Sequence, residues 1–346
     1  MSSPGVFSQL LFHFPLKNFL MKKRFLVFGM VCLFGMPCSG LLAQQAFTAS
    51  GGDAGGPGGS AGYSIGEAVY EHDAGPGGNI NQGVQQPEIN VRLAVKVLLS
   101  GPFDSTSGLM KDDLRAGGQL PATEPYSASP FNKPAIAESA GESTSPAVLG
   151  VSGPNAIVDW LYLELRAAGD PSVIAATKRA LLQRDGDVVS PEDGTSALLF
   201  AHVANGDYYI TVKHRNHLGV MTAGPVSLTS GEVSVDFTTL PVVYTKPGLL
   251  NTPRRSEGGV YTLWAGDASY NKNTKYNGLQ NDKQAVLNAL GGVANINGVA
   301  GPTYRVEDVN MDTRIRYNGL DNDRLVILYT LGVQTPNNIL NQHTPD

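Results

Sequence analysis

Two stretches near the end of the chain set oxygen-bearing side chains at alternate positions and then turn into a helix. In residues 307–332 (EDVNMDTRIRYNGLDNDRLVILYTLG), Asp308, Asn310 and Asp312 alternate. A hard divalent cation needs several oxygens at about 2.3–2.6 Å, and side chains at alternate loop positions converge to supply them. Arg314 contributes only its backbone carbonyl. After the turn at Tyr317-Asn318-Gly319, Asp321 or Asp323 stands where it closes the site, and its charge suits a helix N-terminus. In residues 266–291 (GDASYNKNTKYNGLQNDKQAVLNALG) the matching positions are Asp267, Ser269, Asn271 and Asn273, with Asp282 at the helix start. Asp267, Tyr276, Gly278, Leu279, Asn281, Asp282 and Leu287 each recur 41 positions later, as Asp267 does at Asp308. The first copy holds fewer carboxylates, so a weaker or cooperatively filled calcium site is expected there. The alternative is a pair of Asx-rich turns without metal. A paired site of this kind orders a domain and is not by itself an active site.

The elements that must hold these loops follow from periodicity. In the second copy Leu325, Ile327, Leu328 and Leu331 supply the apolar face of a helix. Upstream, residues 89–100 (INVRLAVKVLLS) alternate and read as a strand. Residues 157–166 (IVDWLYLELR) carry apolar side chains on both faces, as an inner strand does. Residues 176–183 read as a strand or helix, 184–187 as a turn, and 196–202, 208–214 and 233–237 as strands. Strands at this spacing, with Gly, Asp and Pro between them, predict a β-sandwich over 89–244. Residues 125–154, rich in Ser, Ala and Pro, read as a long surface loop. Glycine-rich residues 44–88, with strand-like pieces at 63–70 and 79–86, read as a small β-meander. The two prolines and two arginines near 245–257 suggest a linker, 258–335 the repeat domain, and 336–346 a polar tail. The expected fold class is mainly β, ending in a small calcium loop–helix domain.

Composition narrows the setting. Met21-Lys22-Lys23-Arg24 followed by an apolar run at 25–34 has the form of an export signal, too short to span a bilayer comfortably. Cleavage after Ala43 is expected, with Met21 as the start of the signal (residues 1–43). Cys32 and Cys38, the two cysteines of the chain, fall inside it, which excludes disulfides and thiolate metal sites from the mature protein. Removing Lys17, Lys22, Lys23 and Arg24 leaves 21 basic against 30 acidic residues, a net charge of −9. Nucleic acid is not expected as a partner of such a chain. No membrane span is expected after signal removal.

Other residues that could do chemistry read as structural. His214 and His217, three apart on a strand, point to opposite faces unless a turn at Asn216 intervenes, so they read as strand-end hydrogen-bonding groups. Asp159, Glu164, Asp185 and Asp187 form a glycosidase pair only if two of them share a cleft. Glu164 with Arg166 reads as an ion pair on one face. Trp160, Tyr162, Tyr208 and Tyr209 read as core rather than as a sugar platform. The sequence has no Gly-x-Ser-x-Gly elbow, Walker loop, Rossmann glycine set or zincin helix.

The tandem loop–helix repeats resemble the dockerin-type calcium-binding module, in the variant common in secreted Bacteroidetes proteins. They depart from the standard dockerin loop, which closes with an acidic residue twelve positions from its start. Here Asp321 and Asp323 lie further on, so the resemblance implies the calcium chemistry rather than cohesin recognition. The middle block is similar to hemagglutinin-like surface proteins of the same bacteria, through residues 159–166 (DWLYLELR), 181–187 (LLQRDGD), Tyr208-Tyr209 and 214–219 (HRNHLG). Residues 49–53 and 82–87 resemble the N-terminal piece of such proteins. These resemblances imply an exported, non-catalytic protein, secreted or on the cell surface, that adheres to a glycan or protein. The alternatives are an accessory module of a polysaccharide-degrading assembly that docks through the repeats, or a glycosidase-like enzyme.

Overall fold

The computed structural model describes the backbone of residues 50–56, 59–65, 71–75 and 78–82, and residues 90–345 apart from 139 and 230. The expected signal at 1–43 lies outside the described residues. The chain divides into two compact units at Gln86/Pro87. In the first, β1 (Ser50–Gly56) pairs with β2 (Gly59–Ile65), and β3 (Glu71–Gly75) with β4 (Gly78–Gln82), as two antiparallel hairpins.

The second unit is built on β5 (Asn90–Lys96). A small hairpin of β6 (Phe103–Asp104) and β7 (Leu109–Met110) follows. Then come β8 (Ile157–Ala167), β9 (Ile174–Gln183), β10 (Asp187–Val189), β11 (Leu198–Ala201), β12 (Gly206–Lys213), β13 (Val220–Met221), β14 (Val226–Leu228) and β15 (Glu232–Asp236). Nine of these strands share one hydrogen-bonded sheet, in the order β11-β5-β10-β9-β8-β12-β13, with β14 on β12 and β15 parallel to β5. The expected sandwich of two sheets is thus one continuous ladder. It curls, because β14 pairs with β12 at one end yet comes back close to β5 near the other.

β8 is buried on both faces, as its apolar pattern requires. Leu161, Leu163 and Leu165 enter the main core with Leu93, Leu182, Val212 and Phe200. Each such side chain contributes about 1.5–3 kcal/mol on burial. Trp160, Tyr162, Glu164 and Arg166 occupy the other face. There Glu164 pairs with Arg166 at 2.7 Å and with Lys213 at 2.8 Å. Residues 121–134, which run into the segment expected as a surface loop, cover this face. Trp160 Nε1 donates to Pro121 O, Tyr162 OH to Pro134 O, and the fully buried Tyr126 donates its hydroxyl to Trp160 O. The segment is otherwise largely exposed and irregular, as a surface loop is, and side-chain bonds from Tyr162 and Arg179 to its backbone carbonyls tie it down. It also holds a short helix, Pro146–Leu149, capped by Ser145.

The repeats belong to the same unit. The stretch expected as a linker carries β16 (Arg255–Glu257), paired with β17 (Val260–Thr262), and buried Arg254, whose guanidinium lies 4.0 Å from the Tyr261 ring. The first loop exits through β18 (Asn273–Lys275) into a helix, Asp282–Ala289, followed by β19 (Val299–Ala300). The second exits through β20 (Ile315–Arg316) into a helix, Asp323–Leu331, followed by β21 (Ile339–Asn341). β19 pairs with β20 and β21 with β18, so each loop is completed by the segment after the other repeat's helix. The stretch read as a polar tail is therefore structural: Leu340, His343 and Thr344 are buried, and Asn251 pairs its side-chain amide with both backbone groups of Asn341. Its hydropathy is low because backbone pairing, not apolar burial, holds most of it. Among the described residues no helix is long and apolar enough to cross a membrane.

Leu340→Ala removes the apolar anchor of β21 and should cost about 2–5 kcal/mol in denaturant unfolding. Amides of residues 273–275 should exchange faster than those of β8. Unchanged stability would show that β21 is dispensable.

Candidate metal loops and their buried support

The two loops share a backbone that their sequences do not announce. Tyr270 and Met311 have φ 55° and 61°, Lys272 and Thr313 have 68° and 72°, and Gln280 and Asp321 have 54° and 53°. Each pair is related by the repeat. Non-glycine residues rarely adopt this left-handed conformation, at about 1–2 kcal/mol each, so the loops must be over-determined by other bonds. Those bonds radiate from the first residue of each loop. Asp267 accepts N–H groups of Asn271 and Lys272, both at 2.8 Å. Asp308 accepts those of Asp312 at 3.1 Å and Thr313 at 2.9 Å.

A second carboxylate closes each loop from the helix. Asp282 accepts from Ser269 N–H, the Ser269 hydroxyl and Lys275 N–H. Asp323 accepts from Val309 N–H and Arg316 N–H, both at 2.8 Å. Asn281 and Asn322 cap the two helices by accepting from Gln284 and Leu325 N–H. On the second helix Ile327 and Leu331 are buried as expected, whereas Leu325 and Leu328 are half-buried and Asp323 and Thr330 complete the inner face.

Burial, then the Asp282 charge, pushes the Asp267 carboxyl up to about 7, and burial lifts Asp282 to about 6. Burial raises Asp308 to about 7, and burial, then the Asp308 charge, raises Asp323 well above the usual carboxylate range. The loops thus bring Asp267 together with Asp282, and Asp308 with Asp323. The remaining expected ligands are less converged. Asp312 is engaged by Arg316 at 2.5 Å, Asn310 Nδ2 donates to Asp321 O, and Arg314 and Asp321 are exposed. Asn271 Nδ2 donates weakly to Gln280 O at 3.4 Å, and Asn273 Oδ1 is buried without a hydrogen-bond donor. Among the described residues no group of three or more His, Cys, Asp or Glu side chains converges on one point.

The loops rest on a buried polar segment at the exit of β12, residues 214–219. Arg215 Nε donates to Asp159 Oδ2 at 2.8 Å, His214 Nε2 lies 3.1 Å from the same oxygen, and Tyr304 OH donates to Oδ1 at 2.6 Å. Burial by itself would raise Asp159, but Arg215 and His214 hold it at about 2. The turn at Asn216 brings the two histidine rings to 4.9 Å, so they meet rather than diverge. Gly101 N–H donates to His217 Nε2, which leaves the proton of the neutral ring on Nδ1, 2.8 Å from Asn216 Oδ1. Burial lowers the pKa of both histidines. Gly101 admits no side chain: a Cβ there would stand 2.3 Å from Val309 O. Of these groups the sequence pointed to Asn216 only as a turn, and did not single out Arg215, Tyr304 or Gly101. The one available signal was four consecutive polar residues following an alternating strand.

Asp159 and Glu164, weighed as glycosidase carboxylates, are both engaged in buried ion pairs, and Asp187 pairs with Lys96. Trp160 and Tyr162 are core residues. Comparison with family models, curated proteins and solved structures finds no match.

Asp159→Ala leaves the Arg215 guanidinium buried without its counter-charge and should cost about 3–5 kcal/mol, read by denaturant unfolding. A loss below about 1 kcal/mol, the scale of an exposed pair, would show that the pair is not a structural anchor.

Proposed function

We propose that both repeat loops bind calcium, and that the cation orders the C-terminal part of an exported, non-catalytic binding protein. The observation that carries this reading is the matched pair of buried, mutually repelling carboxylates in each loop. Taking such charges out of water costs several kcal/mol apiece, and a bound divalent cation offsets that cost. The donor set fits calcium: the loops offer carboxylate, amide, hydroxyl and carbonyl oxygens, with no imidazole or thiolate. The unpartnered Asn273 Oδ1 adds an oxygen in the first loop. Asp308, Asp323, Asn310, Asp312 and the Arg314 carbonyl would hold the second cation, and Asp267, Asp282, Ser269, Asn271 and Asn273 the first. The cation would supply folding energy there, not reaction chemistry.

A binding role is supported by an open cleft of about 620 Å³ lined by Tyr261, Trp264, Tyr329, Arg254, Arg255 and Thr252. Aromatic faces beside cationic and hydroxyl groups suit a glycan. The resemblance read from residues 159–166, 181–187 and the tandem repeats implies the same role. Trp264→Ala should then reduce glycan-array binding at least about tenfold while leaving the calcium response intact. Retained binding would move the ligand site elsewhere.

Calcium should raise the melting temperature of the mature chain over chelator. At about 100 times the dissociation constant, one site adds about 2.7 kcal/mol. Asp308→Ala and Asp323→Ala should abolish the second site, and Asp267→Ala and Asp282→Ala the first. The pH dependence has a definite sign. In chelator, carboxylates with raised pKa favour folding when protonated, a contribution lost as pH rises from the ordinary aspartate range through about 7. The calcium increment should therefore grow between pH 5 and 7.5. An increment that is absent, or flat in pH, would sink the calcium reading.

A further inference from the structure

Asn216 lies at the point where the two loops begin, yet belongs to neither repeat. It is fully buried. Its main-chain carbonyl accepts the N–H groups of Gly266 at 3.1 Å and Asp267 at 3.2 Å. Its Nδ2 donates to Val306 O at 3.2 Å and to Asp308 O at 2.7 Å. Asp267 and Asp308 are the first residues of the two loops, and each is the carboxylate around which its loop is wound. One residue therefore fixes both loops at equivalent positions, through its backbone on one side and its side chain on the other.

The orientation of that side chain is set. His217 Nδ1 donates to Asn216 Oδ1, and His217 is itself held by Gly101 N–H. The amide nitrogen is left to face the second loop. On the far side, Leu218 N–H donates to Trp264 O, so the chain that enters the first loop is paired with the segment carrying Asn216. The repeat helices also meet, but in an apolar cluster around Val286, Ile327 and Leu331. That cluster does not contain the first residue of either loop.

We propose that Asn216 is a positioning residue shared by both loops, through which ordering of one loop orders the other. A displaced Asp308 releases the Asn216 amide. The loosened residue then holds the N–H groups of Gly266 and Asp267 less firmly. A loop already rigidified loses less entropy when its neighbour is ordered, which is positive coupling without a large structural change. By linkage the effect is reciprocal. The cation version of this coupling rests on reading the loops as calcium sites; the backbone version does not.

The test uses the whole mature chain, calcium alone as the probe, and two readouts: calorimetric titration, and amide hydrogen exchange at residues 267–275. Asp308→Ala destroys the second site directly. It should also weaken calcium binding at the first loop, about 5–20-fold on the usual scale of coupling, and speed exchange at 267–275. In an Asn216→Ser background the same Asp308→Ala change should leave both first-loop readouts unmoved. The serine variant keeps the main-chain carbonyl that holds Gly266 and Asp267. Asn216→Asp, which keeps the shape but not the amide donor, serves where the serine variant does not fold. The proposal is overturned if Asp308→Ala leaves the first loop untouched, or if its effect persists without the Asn216 amide. A wild-type chain that takes up no calcium would refute the cation reading alone, and exchange would then decide the coupling.

Discussion

The unit depends on a single buried carboxylate. Asp159 sits on β8 at the heart of the sheet and accepts from Arg215, Tyr304 and the Trp160 N–H, with His214 in contact. Arg215 carries the connection onward, donating to Arg305 O and stacking 4.5 Å from the Tyr304 ring. A charge this deep is tolerable only when its partners are complete. The path of residues 214–219 follows from that demand. Once Arg215 turns inward to Asp159, Asn216 and His217 face the loops, and the chain cannot continue as a plain strand.

This arrangement explains why the repeats are not a separate bead on a linker. Loop–helix units of this size bury little apolar surface by themselves, and here their cluster is shared with Leu218 from the sheet's own connection. Leu99 and Leu263 form a parallel bridge that adds a second seam. The Arg254 guanidinium, bonded to Phe237 O and Leu240 O, adds a third. The polar side chains at these seams do what apolar residues do elsewhere, with directional bonds in place of area.

That substitution also decides what could be read from the sequence. The strands β5, β8 and β12 were legible because period-two alternation is imposed by the pleat, whereas β9 read equally as strand or helix. The repeat was legible because identical side chains recur at one spacing. The Ser- and Pro-rich segment was legible as a surface loop but not as a cover over Tyr162, since the carbonyls that accept from Arg179 and Tyr162 leave no mark in the sequence. β21 was hidden for the same reason. The loop conformation was hidden differently: Tyr270, Lys272 and Gln280 adopt positive φ where glycine would have signalled it. Position alone pointed to Asp267 and Asp308 at the loop starts, to Asp282 at the first helix, and to Asp321 or Asp323 at the second. Their burial is a tertiary property that residue spacing does not carry, and Arg215 and Asn216 are marked only by the run of polar residues after β12.

The crossed pairing of the repeats fixes an order of assembly. β19 precedes the second loop in the chain, so the partner of β20 is already present when that loop emerges. β21 lies beyond the second repeat's helix, and the first loop cannot gain its pairing strand until it arrives. A chain made N-terminus first therefore completes the second loop's pairing before the first's, although the first loop is made earlier. The first loop is held by Asp267 and Asp282 alone until residues 339–341 reach it.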